Sequence, residues 1–488
     1  MFYNYLKIAI RNLLKYKTFS FINLFGLTIG AACCLYILLY VQEQHSFDKH
    51  HHDNDRLYRI TSDLYMPNDM EPMRMATLSP PIAPVLKTEF PEVETAARVC
   101  SPPGVERNLF RLGDKVFYEK KGLYVDSTFF RVFDYHFLSG DPRHALDEPN
   151  SVVISEKLAQ QLFNTTQALN QSVDIGGQQG EQKFKVTGIF NGSLGNSHIM
   201  PEFFMSMNSG GIGEFVRSDD SWAGNNFIFG YLRLRPGADA KALEAKLPDF
   251  LQRHGATQLK ELNMKKTLHL QPVAGIHTDT KRIAELSPGV GARFLNILLL
   301  IAGFIMLVAC INFMNLTTAR STRRAQEVGV RKAIGAPKSA LIGQFLSESM
   351  VLAFLAVLLA IPVVIIALPY LNYISGTEVA LDFTKDWSGW GMVGGLVLLT
   401  GVLAGSYPAF YLSSFKPVAV LRGIGAARSS GSVIWLRKGL VISQFVIASV
   451  LIIGAIVIRF QLNYMLNKDL GFDKNQKVIF QFRTSESQ

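Results

Sequence analysis

Five stretches of this chain carry no charged residue: Thr18–Gln42, Phe294–Ala319, Ser349–Thr377, Trp387–Phe415 and Gly439–Ile458. Each reaches the roughly 20 residues that a helix needs to cross a bilayer, so five spanning helices are predicted. The first run follows Lys7, Arg11, Lys15 and Lys17. It is too long for a signal-peptide core, and no A-x-A-like site follows it, so it reads as a retained signal anchor. Between the first and second runs the pattern changes to short alternations. Leu57–Ser62 and Phe227–Leu234 alternate as strands, and Arg107–Leu112 with Lys115–Tyr118 form a hairpin about Gly113-Asp114. Pro80–Phe90 and Ala238–Arg253 read as helices, the second amphipathic. Tyr124–Gly140, Asn150–Phe163 and Phe184–Phe190 give a strand, helix, strand succession, and the aromatic run at 129–137 reads as core. The fold class is thus an α-helical polytopic membrane protein with an α+β extracytoplasmic domain in two lobes.

Charge orients the spans. Residues 1–17, 316–341 and 413–438 hold fifteen basic residues against Glu327 alone, although the whole chain is only +10. The short connector 374–388 is acidic apart from Lys385. Basic loops stay in the cytoplasm, so the N-terminus lies inside and residues 44–292 lie outside. The high pI is therefore a topology signal, and a nucleic-acid partner is excluded. Of four cysteines, Cys33, Cys34 and Cys310 fall in spans and Cys100 stands alone, so no disulfide framework is expected. His50, His51, His52, Asp53 and Asp55 lie almost consecutively, but they lack the i, i+4 spacing of zinc helices. They read as a solvated juxtamembrane connector, and no metal or cofactor is expected.

One inner segment has more order than a loop needs. Arg320, Arg324, Glu327 and Arg331 share one helical face, with Val328 and Ile334 off it and Lys332 adjoining. Gly335 is a natural stop, and Pro337 opens the next helix. The pattern is a short basic helix fused through a tight turn to the third span. Gly26-x-x-x-Gly30 and Gly401-x-x-x-Gly405 supply small faces for close helix approach, and no charge lies mid-membrane. The chain has no G-x-x-x-x-G-K-[ST], G-x-S-x-G, H-E-x-x-H or paired C-x-x-C, so catalysis must come from another chain.

The run E-V-G-V-R-K-A-I-G-A followed by Q-F-L-S-E-S resembles the coupling segment of FtsX/MacB-type ABC transporter permeases. V-V-I-S-E-K-L-A and F-K-V-T-G-I-F resemble the MacB-type periplasmic core domain. Phe47-Asp-Lys, His51 and Asp55-Arg-Leu-Tyr-Arg59 match a family feature just past the first span. F-D-K recurs at Phe472–Lys474 before a strand-like Val478–Phe482, so the chain resembles the N-terminal part of a duplicated two-repeat permease. The organisation expected is 1–43 N-terminus and first span, 44–292 periplasmic domain, and 293–415 FtsX-like domain with coupling segment 320–348. A linker at 416–438 and a fifth span at 439–488 complete it.

The resemblance implies a permease subunit in a bacterial inner membrane. A cytoplasmic ABC ATPase would engage Arg320, Arg324, Glu327, Arg331, Lys332, Gly335 and Pro337. Further partners implied are a second permease copy or repeat, a periplasmic or outer-membrane adaptor, and membrane lipid. Export or extraction of a peptide, lipid or lipoprotein is the expected task. The second expectation is a non-transporting FtsX-like relay that controls a periplasmic cell-wall hydrolase.

Overall fold

The computed structural model describes residues 17–67, 70–101, 107–120, 122–177, 180–193, 195–319, 321–381, 387–414 and 431–468. Contacts divide them into two compact units, Gln44–Ala292 and the residues before and after it.

In the unit that flanks it, five helices are long and apolar enough to span a membrane: Lys17–Ser46, Ala292–Ala319, Lys338–Ser375, Trp387–Ser413 and Gly431–Asn467. The first, second, third and fifth continue beyond the uncharged run that predicted them, because polar residues carry the helix on past the apolar stretch; the fourth starts with its run at Trp387 and ends within it at Ser413. Leu27, Ala31 and Leu35 of the first meet Ala302, Met306 and Cys310 of the second and Ala356, Val357 and Ala360 of the third in one core. Small residues set the spacing. A Cβ on Gly30 would lie 2.8 Å from the Ala309 Cβ, and one on Gly405 would lie 2.7 Å from that of Ser349. Both G-x-x-x-G faces are therefore helix–helix contacts, where a larger side chain would force the backbones apart. The fifth helix differs: none of its most apolar window is buried. Leu440 touches the core, and Asn315 donates to Gln444 at 3.4 Å.

Residues 44–292 hold thirteen strands among the described residues, all in one sheet. They are β1 (Leu57–Tyr65), β2 (Met73–Met75), β3 (Val93–Cys100), β4 (Arg107–Leu112), β5 (Lys115–Lys120), β6 (Leu123–Val125) and β7 (Tyr135–Ser139). The rest are β8 (Ser151–Ser155), β9 (Ser172–Gly177), β10 (Gly180–Ser193), β11 (Phe203–Ser206), β12 (Ile228–Leu234) and β13 (Lys265–Pro272). The order is β13-β1-β12-β3-β6-β11-β8-β10-β9-β4-β5, with β2 on β1 and β7 on β10. One strand path thus runs through both expected lobes. A core of Ile82, Leu86, Leu232, Leu247 and Phe250 lies at the β13 end, and one of Phe110, Leu158, Phe184 and Phe203 at the β4 end. Between them Phe129, Phe130, Phe133, Phe190 and Phe204 form an aromatic cluster.

Most local signals are realised. Gly113 takes φ +58° in the β4–β5 turn, where Gly carries no Cβ penalty. Ser155 Oγ accepts from the Leu158 amide and starts the helix Glu156–Phe163. Two expectations need correction. Ala238–Arg253 is not one helix: it divides into Ala240–Glu244 and Leu247–Glu261. Pro248, in the first turn of the second helix, has no N–H to continue the first. Phe227–Leu234 was expected to alternate, yet Ile228–Leu232 is buried on both faces. A central strand covered on both sides shows no period-2 signal.

Candidate functional site

In the membrane unit, the predicted basic helix occupies Ser321–Ala333. Its end is built by hydrogen bonds. Gly335 takes φ +96°, its amide donates to the Lys332 carbonyl at 3.0 Å, and the Ala336 amide donates to Arg331 at 3.0 Å. This pair of bonds is a Schellman cap, which satisfies carbonyls that a helix end would leave bare. Pro337 is then the N-cap of Lys338–Ser375, with extended backbone. Two helices are thus joined at a fixed elbow.

Packing locks the elbow. Val328, only 2% exposed, sits with Leu341 and Phe345 of the third span and Ala409 and Leu412 of the fourth. Burying a valine side chain in this way contributes about 1.5–3 kcal/mol. Arg331 Nη1 donates to Gln344 Oε1, which belongs to the third span. Lys332 Nζ donates to the Ser413 carbonyl at 2.6 Å, at the end of the fourth. Val330 is 48% exposed and Ile334 81%. Val330 lies roughly opposite Val328 on a 3.6-residue helix, and Ile334 comes one turn after Val330, just past the helix end. This helix is therefore held to two spans by both apolar and polar contacts.

Of the residues singled out by sequence, Arg331, Lys332, Gly335 and Pro337 come together at this elbow. Arg320 lies outside the described residues, as do the Arg324 and Glu327 side chains. So do most of the 413–438 loop and the repeated F-D-K at 472–474. Sequence reasoning missed the partners of the elbow. Leu412 and Ser413 are some 80 residues from Val328 and Lys332, and nothing local marks them.

The folded domain 44–292 contains a second constellation, where its entering and leaving segments meet. Gln44 Oε1 lies 2.6 Å from His277 Nε2, and the Phe47 ring stacks on His277 at 3.5 Å. Asp48 is fully buried: Ser197 Oγ donates to it at 2.6 Å, and His198 Nδ1 lies 2.9 Å from its other oxygen. His198 Nε2 reaches the Tyr231 hydroxyl at 2.8 Å. Burial would push the Asp48 carboxyl up. The charge of His198 and hydrogen bonds from His198, His51 and Ser197 outweigh it and hold the group well below the usual carboxylate range. Arg59, also fully buried, gives a two-pronged bond to Glu285 at 2.5 and 2.7 Å and donates to Gln271 at 2.8 Å.

These contacts correct the expected solvated connector. His51 is buried against Phe133, with its Nδ1 accepting from the Asp134 amide at 3.2 Å, while Lys49, His52 and Asp55 are exposed. Within F-D-K-H-H-H, Asp48 and the Nδ1 of His51 are buried with hydrogen-bond partners, as burial requires, whereas Lys49 and His52 face outward. No group of three or more His, Cys, Asp or Glu able to hold a metal occurs among the described residues.

Comparison with known proteins gives the context. The family model for the MacB-like periplasmic core domain matches residues 20–250, and that for the FtsX-like permease C-terminal domain matches 299–417. YknZ, an ABC transporter permease of Bacillus subtilis, is 27% identical over 281 residues, covering 55% of this chain and 61% of that protein. YvrN of the same organism, also named an ABC transporter permease, is 23% identical over 450 residues, covering 86% of this chain and 99% of its own. The crystallised periplasmic region of MacB from Actinobacillus actinomycetemcomitans aligns at 12% identity and TM-score 0.32, over 46% of this chain and 91% of that one. The chain spans 61% of the length of YknZ and 42% of the MacB of Salmonella paratyphi A. Five apolar helices, a MacB-like core domain between the first two and an FtsX-like segment across the next three place this chain in the FtsX/MacB type of ABC transporter permease.

Proposed function

We propose that this chain couples a separate ABC ATPase to movement of its extracytoplasmic domain. The observation that carries the reading is the elbow: a capped basic helix fixed to two spans by Val328, Arg331 and Lys332, with Val330 and Ile334 turned outward. The ATPase docks on Arg320–Glu348 from the cytoplasm. Nucleotide-driven closure pushes the helix, and the rigid turn at Gly335-Pro337 passes the push to the second, third and fourth spans. Residues 44–292 follow because the first and second spans lead directly into them.

The spans hold no charged residue at mid-membrane, which favours force transmission over an ion-coupled path. The task best supported is export or extraction of a peptide, lipid or lipoprotein at the outer face of a bacterial inner membrane. A second permease copy or repeat covers the apolar surface of the fifth helix, and an external adaptor completes the route. The test is affinity purification of the full chain with its ATPase, comparing wild type, Glu327→Arg and Val330→Asp/Ile334→Asp. Loss of the co-purifying ATPase and its turnover is expected in both variants. Full retention of partner and turnover overturns the assignment of the coupling segment.

A further inference from the structure

The helix of the first span ends at Ser46, and the helix of the second begins at Ala292. Inside the folded domain Gln44–Ala292, one residue is bonded towards both of these ends. Gln44, in the last turn of the first helix, sets its Oε1 2.6 Å from His277 Nε2, and the Phe47 ring stacks on the imidazole at 3.5 Å. On the other side, the His277 carbonyl accepts from the Val290 amide at 2.8 Å, and the Thr278 carbonyl accepts from the Ala292 amide at 3.1 Å. Residues 279–289 therefore form a loop with a closed neck. The neck is tight: a Cβ on Gly289 would lie 2.5 Å from the His277 carbonyl oxygen, so a side chain there would force it open. His277 is buried, and burial pushes its pKa down. The ring is thus neutral, with Nε2 carrying the proton that Gln44 accepts.

The loop beyond the neck is tied to three strands. Glu285 takes the two-pronged bond from Arg59 of β1, and Arg282 Nη1 donates to Asp63, also of β1, at 3.2 Å. The Ile283 amide donates to the Arg74 carbonyl of β2 at 2.9 Å, and its carbonyl accepts from the Ala76 amide at 3.0 Å. Asp279 accepts from Gln271 of β13 at 3.0 Å. We infer that His277 is a yoke, a positioning residue that holds the domain-side ends of the first two spans together so that they deliver one displacement to β1, β2 and β13. A pull on Ala292 meets the neck at His277 and Thr278 before it can stretch the loop. The imidazole then carries the end of the first helix with it, and the ties of the loop engage the sheet.

The inference rests on the coupling reading for the source of the displacement, whereas the yoke itself is measured without an ATPase. The experiment uses the full chain in nanodiscs, with Cys33, Cys34, Cys100 and Cys310 replaced and spin labels on His45→Cys and Arg293→Cys, both exposed positions. Double electron–electron resonance then reads the distance distribution between the two helix ends. A single narrow distribution is expected in this parent and in Gln44→Glu, which keeps the acceptor for His277. Gln44→Leu/Phe47→Leu frees the first helix from the imidazole, and Gly289→Ala opens the neck from the other side. Both are expected to lose the narrow distribution while the melting temperature of residues 44–292 stays unchanged. With the partner ATPase added, nucleotide is expected to change hydrogen exchange over residues 279–289 in the parent and in Gln44→Glu. That response is expected to be lost in the other two variants, with docking and ATP turnover retained. A broad distribution in the parent, a narrow one in Gln44→Leu/Phe47→Leu, or loss of the response in Gln44→Glu as well overturns the yoke. A parent with the narrow distribution that docks no ATPase overturns the coupling reading alone.

Discussion

Lys266 offers a quantitative test of the folded domain. It lies on β13 with its ammonium buried, donating to Ser79 Oγ at 2.7 Å and to the Trp222 carbonyl at 2.9 Å. No carboxylate is within ion-pair distance among the described residues. Burial pushes its pKa from the ordinary 10.5 down to about 7. At about 1.4 kcal/mol per pH unit, the buried charge costs on the order of 5 kcal/mol at neutral pH and below. The change Lys266→Met keeps the stem's packing and removes the charge. It also strips a donor from the Trp222 carbonyl, which costs about 1–3 kcal/mol. The net expectation is a gain of about 2–4 kcal/mol near pH 7.

The sign with pH follows from the lowered value. Between about 7 and 10.5 the unfolded chain holds a proton that the folded one does not, so wild-type stability rises with pH across that window. The variant lacks this rise, and its advantage narrows towards pH 10. Urea unfolding followed by Trp222 fluorescence, with Trp387, Trp390 and Trp435 changed to Phe, measures this at pH 6, 8 and 10. A less stable variant, or an advantage that does not shrink with pH, refutes the reasoning.

Three further outcomes are expected. Asp48→Asn removes the anion that faces His198 and Ser197 and is expected to destabilise residues 44–292 by about 3 kcal/mol or more, read by thermal melting. Because the Asp48 carboxyl is held low, its contribution is present above about pH 4 and fades as pH falls further; the variant loses that part of the acid sensitivity. Val328→Asp places a carboxylate among Leu341, Phe345, Ala409 and Leu412, so hydrogen exchange over residues 321–333 should quicken and partner-stimulated ATP turnover should fall. The melting of residues 44–292 should not change. Gly335→Ala meets no atom within 4 Å, so its cost is the left-handed backbone alone, about 1 kcal/mol; the expected result is faster exchange at Gly335–Lys338 with weaker coupling.

The parts legible in the sequence are those governed by near neighbours. Uncharged runs announce spans, Gly335 and Pro337 announce the elbow, and Gly113-Asp114 announces a hairpin. The aromatic run at 129–137 could be read as core because such density seldom faces water. What could not be read depends on partners distant along the chain. Asp48 and His198 are 150 residues apart, so the F-D-K-H-H-H run looked solvated until Ser197, His198 and Tyr231 were brought to it. Lys266 carries no local sign of burial, because the loop that covers it, around Trp222, approaches from another part of the chain. The break after Glu244 was hidden by an unbroken amphipathic pattern, although Pro248 was in view.

Coupling requires the elbow and the domain of residues 44–292 to lie on opposite sides of the membrane. In a background with Cys33, Cys34, Cys100 and Cys310 replaced, single cysteines at Ile334 and Met70, both strongly exposed, can be labelled with an impermeant maleimide. In intact cells with a permeable outer envelope, the cysteine at Met70 should react at once and that at Ile334 only after the inner membrane is opened. Equal labelling of both before lysis would contradict the account.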